Sequence, residues 1–262
     1  MSMTGKKPIF AVTALCAFFV TAGPAFAQGR TIDLQGADAP REKNKEKDKE
    51  RSELTAILAR FDEAQKATKT LTASFTEKKE IHILKEPVLA KGRFFYTRPD
   101  DVLLEYTEPE VRYLLFTKEE QLYYYPKQKK AERGTSARVH DYILRFLAIG
   151  QTSDNLKKFY EVSLDSSNTE VKDAYLLVLK PRKRMIKKAV KDVLFWIGKD
   201  RLLPVKMQWR EPDGDSTTIT FDEVKMNPEI QANVYHIEIP KDVQIIKRRV
   251  PGASEFKDNS EG

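Results

Sequence analysis

The first sustained pattern along the chain is helical. Leu54, Ile57, Leu58 and Phe61 recur at i, i+3, i+4 and i+7, one face of an α-helix, and Ala64 and Thr68 extend the stripe. Ser52 suits the N-cap, because its hydroxyl can accept from the free N–H groups of a first turn. At Leu71, Ala73 and Phe75 the period changes to two, which predicts a strand. Further strands are expected over 92–96, 102–106, 113–116 and 122–125, with turns at Arg98-Pro99-Asp100-Asp101, Glu108-Pro109 and Lys118-Glu119-Glu120. Val139, Ile143, Phe146, Leu147 and Gly150 then fit a second helix, with Gly150 as its stop. Strands resume over 159–164, 175–179, 193–197, 205–210, 217–224 and 234–239, with a short last one over 243–246. This is a mainly β fold of about ten antiparallel strands and two helices, without a βαβ rhythm.

Several strands are apolar on both sides: Val102-Leu103-Leu104, Leu114-Leu115-Phe116, Tyr123-Tyr124-Tyr125 and Val193-Leu194-Phe195-Trp196-Ile197. A sheet with one wet face alternates more cleanly. Either both faces are covered, or one of them lines an apolar cavity closed by the helices.

The ends of the chain divide it. Lys6 and Lys7, the apolar stretch Ile9 to Val20 and Ala25-Phe26-Ala27 have the form of a secretory signal peptide over 1–27, cleaved before Gln28. Residues 28–51 form a charged leader. Its segment Arg41 to Arg51 (REKNKEKDKER) has six bases and four acids and no apolar stripe, which suits a mobile arm or a solvated helical extension. The folded domain is expected over 52–249, with a disordered tail over 250–262.

Composition narrows the chemistry. The chain has 262 residues, 46 basic against 39 acidic, a net charge of +7, 14 Phe, 10 Tyr and 2 Trp. That aromatic content argues against wholesale disorder, and the mixed charge argues against a nucleic-acid partner. The single cysteine, Cys16, lies in the expected signal peptide, and His82, His140 and His236 are far apart. A disulfide framework, a Cys/His zinc site and a thiol nucleophile are therefore not expected, and neither is a cofactor. There is no G-x-S-x-G, glycine-rich phosphate loop or H-E-x-x-H, and the pairs Asp100-Asp101 and Asp222-Glu223 suit solvated acids. The basic run Arg182, Lys183, Arg184, Lys187, Lys188 and Lys191 suits a solvated connection, or a docking patch for an acidic protein surface or anionic headgroups.

A chain of short motifs, in order, resembles the outer-membrane lipoprotein carrier (LolA) family over nearly the whole folded unit. They are Leu71-Thr72-Ala73-Ser74-Phe75-Thr76-Glu77; Gly92-Arg93-Phe94-Phe95-Tyr96-Thr97-Arg98-Pro99; Val102 to Pro109; Leu122-Tyr123-Tyr124-Tyr125-Pro126; Leu179-Lys180-Pro181; Leu203-Pro204-Val205; Phe221-Asp222-Glu223-Val224; and Tyr235 to Val243 as a closing strand. The resemblance implies a single-domain, unclosed half β-barrel with a helical lid over an apolar cavity. It implies a monomeric, non-enzymatic periplasmic chaperone of a double-membrane bacterium. Such a chaperone takes lipoproteins by their acyl chains from an inner-membrane ABC-type exporter and gives them to an outer-membrane acceptor. Arg98 falls on the family's gating arginine, which ties lid elements in the closed state; a turn arginine paired with Asp100 or Asp101 is the plainer role. The expected cavity wall is Phe75, Val102, Leu104, Tyr106, Leu115, Ile143, Phe146, Met207 and Trp209. Three positions depart from the family pattern: Leu104 replaces its Trp, Glu77 its Gln, and Thr117-Lys118-Glu119 its S-D-G turn. An envelope lipid or lipoprotein sensor on the same fold, and an envelope hydrolase, are the alternatives.

Overall fold

The computed structural model describes residues 39–134, 150 and 152–247. The chain divides into two units, residues 1–48 and 49–262. Helix α1 spans Ala39–Ala67. Strands β1 to β6 follow: Thr70–Glu80, Val88–Thr97, Asp101–Glu108, Arg112–Phe116, Gln121–Tyr125 and Lys130–Gly134. Helix α2 (Ser153–Phe159), β7 (Tyr160–Asp165), β8 (Ala174–Pro181), helix α3 (Arg184–Ala189), β9 (Asp192–Gly198), β10 (Pro204–Arg210), β11 (Ser216–Met226) and β12 (Gln244–Lys247) complete the order.

All twelve strands form one sheet in the order β12-β6-β5-β4-β3-β2-β1-β11-β10-β9-β8-β7. Its two outer strands are not paired with each other, so the sheet is open. Strand twist makes a sheet of this size curl rather than stay flat. Every pairing is antiparallel except β12 with β6, which is parallel. This exceeds the expected ten antiparallel strands in number and departs from them at one edge.

Three other expectations are corrected. Ser52 does not cap a helix, because α1 already begins at Ala39. The segment Arg41 to Arg51 is built of helix-forming Glu, Lys and Arg with opposite charges at i, i+3, so nothing in it stops the helix. The expected strand over 234–239 is a 3-10 turn (Ala232–Tyr235) followed by extended chain outside the sheet. Val234, Tyr235, Ile237 and Ile239 instead lie against the outer-face residues Leu103, Leu115, Leu122 and Tyr124. The connection after β8 contains α3, a helix not foreseen. The expected helix over 139–150 lies outside the described residues, apart from Gly150.

Cross-strand register sorts the side chains into two faces. On the face covered by α1, Ile57, Leu58 and Phe61 pack with Val193, Phe195, Ile197 and Met207, and Phe61 meets Phe195 edge-on at 6.2 Å. The other face carries the cluster under the 234–243 segment. Both faces of β3, β4 and β5 are thus buried, which is why these strands read as unbroken apolar runs.

Candidate functional site

The site grows from one stripe of alternate residues. Val102 pairs with Phe116, Leu104 with Leu114 and with Phe94, and Phe75 with Gly92 and Phe221. Side chains of adjacent strands in register point the same way. Leu71, Ala73 and Phe75 of β1 therefore join Phe94 and Tyr96 of β2, Val102, Leu104 and Tyr106 of β3, and Ile219 and Phe221 of β11 in one continuous apolar surface. Trp209 packs against both this cluster and the one beneath α1, so the two merge into a single inner face. The rings interlock edge-on: Phe75 with Tyr106 at 5.0 Å, Phe94 with Phe221 at 5.6 Å, and Phe116 with Tyr123 at 5.6 Å.

Gly92 is a requirement of this packing. A Cβ there would lie 2.3 Å from the Glu105 carbonyl oxygen and 2.7 Å from Cζ of Phe75. The glycine of the G-x-x-x-x-x-R-P motif thus makes room for the ring that opens the apolar stripe.

Each end of the stripe is polar. At one end, Arg98 donates from Nε to the Thr68 carbonyl at 3.0 Å and from Nη2 to the Gln65 carbonyl. Its own N–H donates to the Lys69 carbonyl at 2.8 Å. The C-terminal end of a helix presents carbonyls without intrahelical partners and a partial negative charge, and a guanidinium satisfies both. The Gln65 side chain in turn accepts from the Gly150 N–H at 2.9 Å. Gly150 has φ +70°, and a Cβ on it would sit 2.3 Å from the Tyr96 hydroxyl. Arg98 and Gln65 together therefore fasten the end of α1 and the chain at 150 to the rim of β2.

At the other end, Glu77 accepts from the Tyr106 hydroxyl at 2.7 Å and from Arg112 Nη2 at 3.3 Å. The Arg112 guanidinium lies 3.7 Å over the Tyr106 ring. Burial, and then the negative charge of Glu77, push the Tyr106 hydroxyl well above its ordinary pKa. It stays a neutral donor to Glu77.

Of the expected wall residues, Phe75, Val102, Leu104 and Tyr106 lie together in this stripe, Met207 lies under α1, and Trp209 joins the two. Leu115 is corrected: it pairs with Leu103 and faces the opposite side of the sheet, beneath Val234 and Tyr235. Ile143 and Phe146 lie outside the described residues. Arg182, Lys183, Arg184, Lys187 and Lys188 are exposed, in the connection between β8 and β9. Phe94, Tyr96, Leu114, Phe116 and Tyr123 belong to the stripe and were not anticipated; counting alternate residues outward from Val102 and Leu104 through the pairings would have found them. The partnership of Glu77 with Arg112 had no local signal, since the two are brought together only by the β1-β2-β3-β4 order.

Among the described residues, the aromatic side chains of the stripe pack against one another. A surface depression of about 490 Å³ is lined by Ser74, Phe75, Thr76, Lys91, Arg93, Thr107 and Asp222 among others. Among the described residues no group of three or more His, Cys, Asp or Glu is placed to hold a metal ion, and no helix is long and apolar enough to cross a membrane.

A family model described as outer membrane lipoprotein carrier protein LolA matches residues 66–238. Among solved structures, an uncharacterized conserved protein from Thermus thermophilus is 13% identical with a TM-score of 0.49, over 75% of this chain and 99% of that one. The LolA superfamily protein NE2245 from Nitrosomonas europaea is 13% identical with a TM-score of 0.37, over 70% and 97%. The MucA/MucB complex of Pseudomonas aeruginosa is also 13% identical, with a TM-score of 0.42, over 73% and 62%. No curated protein matches the sequence.

Proposed function

Since the chain belongs to the outer membrane lipoprotein carrier protein LolA family, we propose that it is a periplasmic carrier that holds lipoproteins by their acyl chains. In this reading it takes them from an inner-membrane exporter and yields them to an outer-membrane acceptor, after export through the N-terminal signal peptide. The observation that carries the reading is the apolar stripe over β1 to β5 and β11, fastened at one end by Arg98.

The energetics suit reversible holding. An acyl chain gains about 0.8 kcal/mol for each CH₂ removed from water. Admitting it means parting the interlocked rings and releasing the Arg98 contacts, which offsets part of that gain. The net affinity is then moderate, and a partner that offers a less strained apolar site can draw the cargo away. The test is transfer between membranes in vitro. The chain should release an acylated lipoprotein from inner-membrane spheroplasts into the soluble fraction, and Arg98→Leu should take up the lipoprotein but exchange it abnormally. Failure of the wild-type chain to solubilise the lipoprotein would refute the carrier role. Uptake without onward transfer would point instead to a sensor on the same fold.

A further inference from the structure

The end of the sheet remote from Arg98 combines two features that the carrier role does not use. The β1–β2 hairpin projects exposed aliphatic side chains: Ile83 is 76% exposed, Leu89 56%, Val88 43% and Leu84 37%. Ile83 and Leu84 stand in the turn of the hairpin, with Val88 and Leu89 on opposite faces of the strand behind it, so the tip is apolar on both sides. Further along the same end of the sheet, beyond the acidic β10–β11 turn with Glu211, Asp213 and Asp215, the β8–β9 connection presents Lys183, Arg184, Lys187, Lys188 and Lys191, all exposed and without an ion pair among the described residues. Lys157 and Lys158, at the end of α2, lie at the same place, because the Arg182 N–H donates to the Phe159 carbonyl and its Nε to the Tyr160 carbonyl.

Hydrogen bonds join these segments into one rim. The His82 N–H donates to Asp215 Oδ1 at 2.9 Å, tying the apolar hairpin to the β10–β11 turn. The Lys191 N–H donates to the Arg210 carbonyl at 2.8 Å, tying the basic connection to the end of β10. Inside the rim, Ile186 packs on the core beneath α1, so α3 turns its cations outward from a fixed base.

We propose that this rim docks the protein on the surface of an anionic phospholipid bilayer. The chemistry separates a bilayer from an acidic protein. Stable protein interfaces are built on aromatic and Arg anchors and are poor in Lys. This rim is Lys-rich, and its exposed apolar side chains are all aliphatic. An aliphatic tip that enters the acyl boundary and a separate cluster of lysines at headgroup depth are the two signals that peripheral membrane binding requires. Docked this way, the Glu77–Arg112 end of the stripe faces the bilayer and the Arg98 end faces away from it.

The test is co-sedimentation with vesicles of phosphatidylcholine alone and with phosphatidylglycerol added, free of lipoprotein, so that cargo binding does not enter the result. Wild type should partition onto the phosphatidylglycerol vesicles, and high salt should release it. Each cation near such a surface strengthens partitioning about fivefold, so K183E/K187E/K188E should lose about a hundredfold or more. I83S/L89S should lose about tenfold at unchanged charge. Both variants keep the wild-type N-terminal segments, so the differences read this rim alone, and equal urea midpoints establish that they fold. If one variant does not fold, the other decides. Absent partitioning of wild type, partitioning unchanged in a folded variant, or binding to an acidic polypeptide in place of vesicles would overturn the proposal.

Discussion

Replacing Arg98 with Leu removes a clasp whose strength can be worked from its contacts. The side chain donates to the carbonyls of Thr68 and Gln65 at the C-terminal end of α1. A hydrogen bond from a charged donor contributes about 1.5–3 kcal/mol when buried, and about 1 kcal/mol each is reasonable at this partly exposed rim. The helix dipole adds about 0.5 kcal/mol. The total of about 2.5 kcal/mol corresponds to a local opening about seventyfold more frequent. Amide hydrogen exchange reads that opening at two places: Thr68, whose N–H closes the last turn of α1 on Ala64, and Gly150, whose N–H is held by Gln65. Exchange at both should quicken by tens of fold, while amides in β9 and β10 keep wild-type protection. Arg98→Lys keeps the charge but loses the fork, and should fall between, at about tenfold. Unchanged exchange at Thr68 and Gly150 would refute the reasoning. Equal acceleration throughout the sheet would do the same, since it would make Arg98 a contributor to global stability and not a clasp.

Other perturbations test the packing around it. Gly92→Ala should destabilise the fold by about 1–3 kcal/mol in urea, because its Cβ meets backbone at Glu105 and the Phe75 ring. Trp209→Ala should cost about 2–3 kcal/mol, below the usual range for a buried Trp because the ring is half-exposed, and should loosen the join between the two clusters. Tyr235 donates to Thr97 Oγ1 at 2.8 Å, and burial pushes its hydroxyl from 10.0 up to about 12. The folded state thus holds this proton where the unfolded state has released it. Stability from this group is complete below pH 10 and falls by about 1–2 kcal/mol as the pH rises to 12. The difference between wild type and Tyr235→Phe in urea titrations across that window should show the loss, and a parallel pH dependence of the two proteins would count against it.

Much of the sheet was legible because its strands carry their own punctuation. Prolines and acids at Arg98-Pro99-Asp100-Asp101 and Glu108-Pro109 bracket β3, and alternation in Val205, Met207 and Trp209 marks β10. β6 was missed because Lys130 to Gly134 is mostly polar and buries only Ala131 and Gly134. The segment 234–239 shows the limit of pattern reading. Its half-buried residues Tyr235, Ile237 and Ile239 and exposed residues His236 and Glu238 alternate as a strand would, yet it lies across the sheet and not in it. Alternation reports a half-buried extended chain; it does not report hydrogen-bond partners. Leu115 failed for a related reason, since β4 is buried on both sides and apolar character there does not reveal direction. Arg98 could be singled out from its motif, but its carbonyl partners lie about thirty residues away and are named only by the fold.

The claim at the centre is that the inner stripe takes acyl chains. Native mass spectrometry of the chain mixed with a triacylated lipopeptide tests it most directly, with the deacylated peptide as control. A one-to-one complex that forms only with the acylated form, and that weakens when Leu104→Asp places a charge in the stripe, is the expected result. A chain that remains empty, or that binds acylated and deacylated peptides alike, would contradict it.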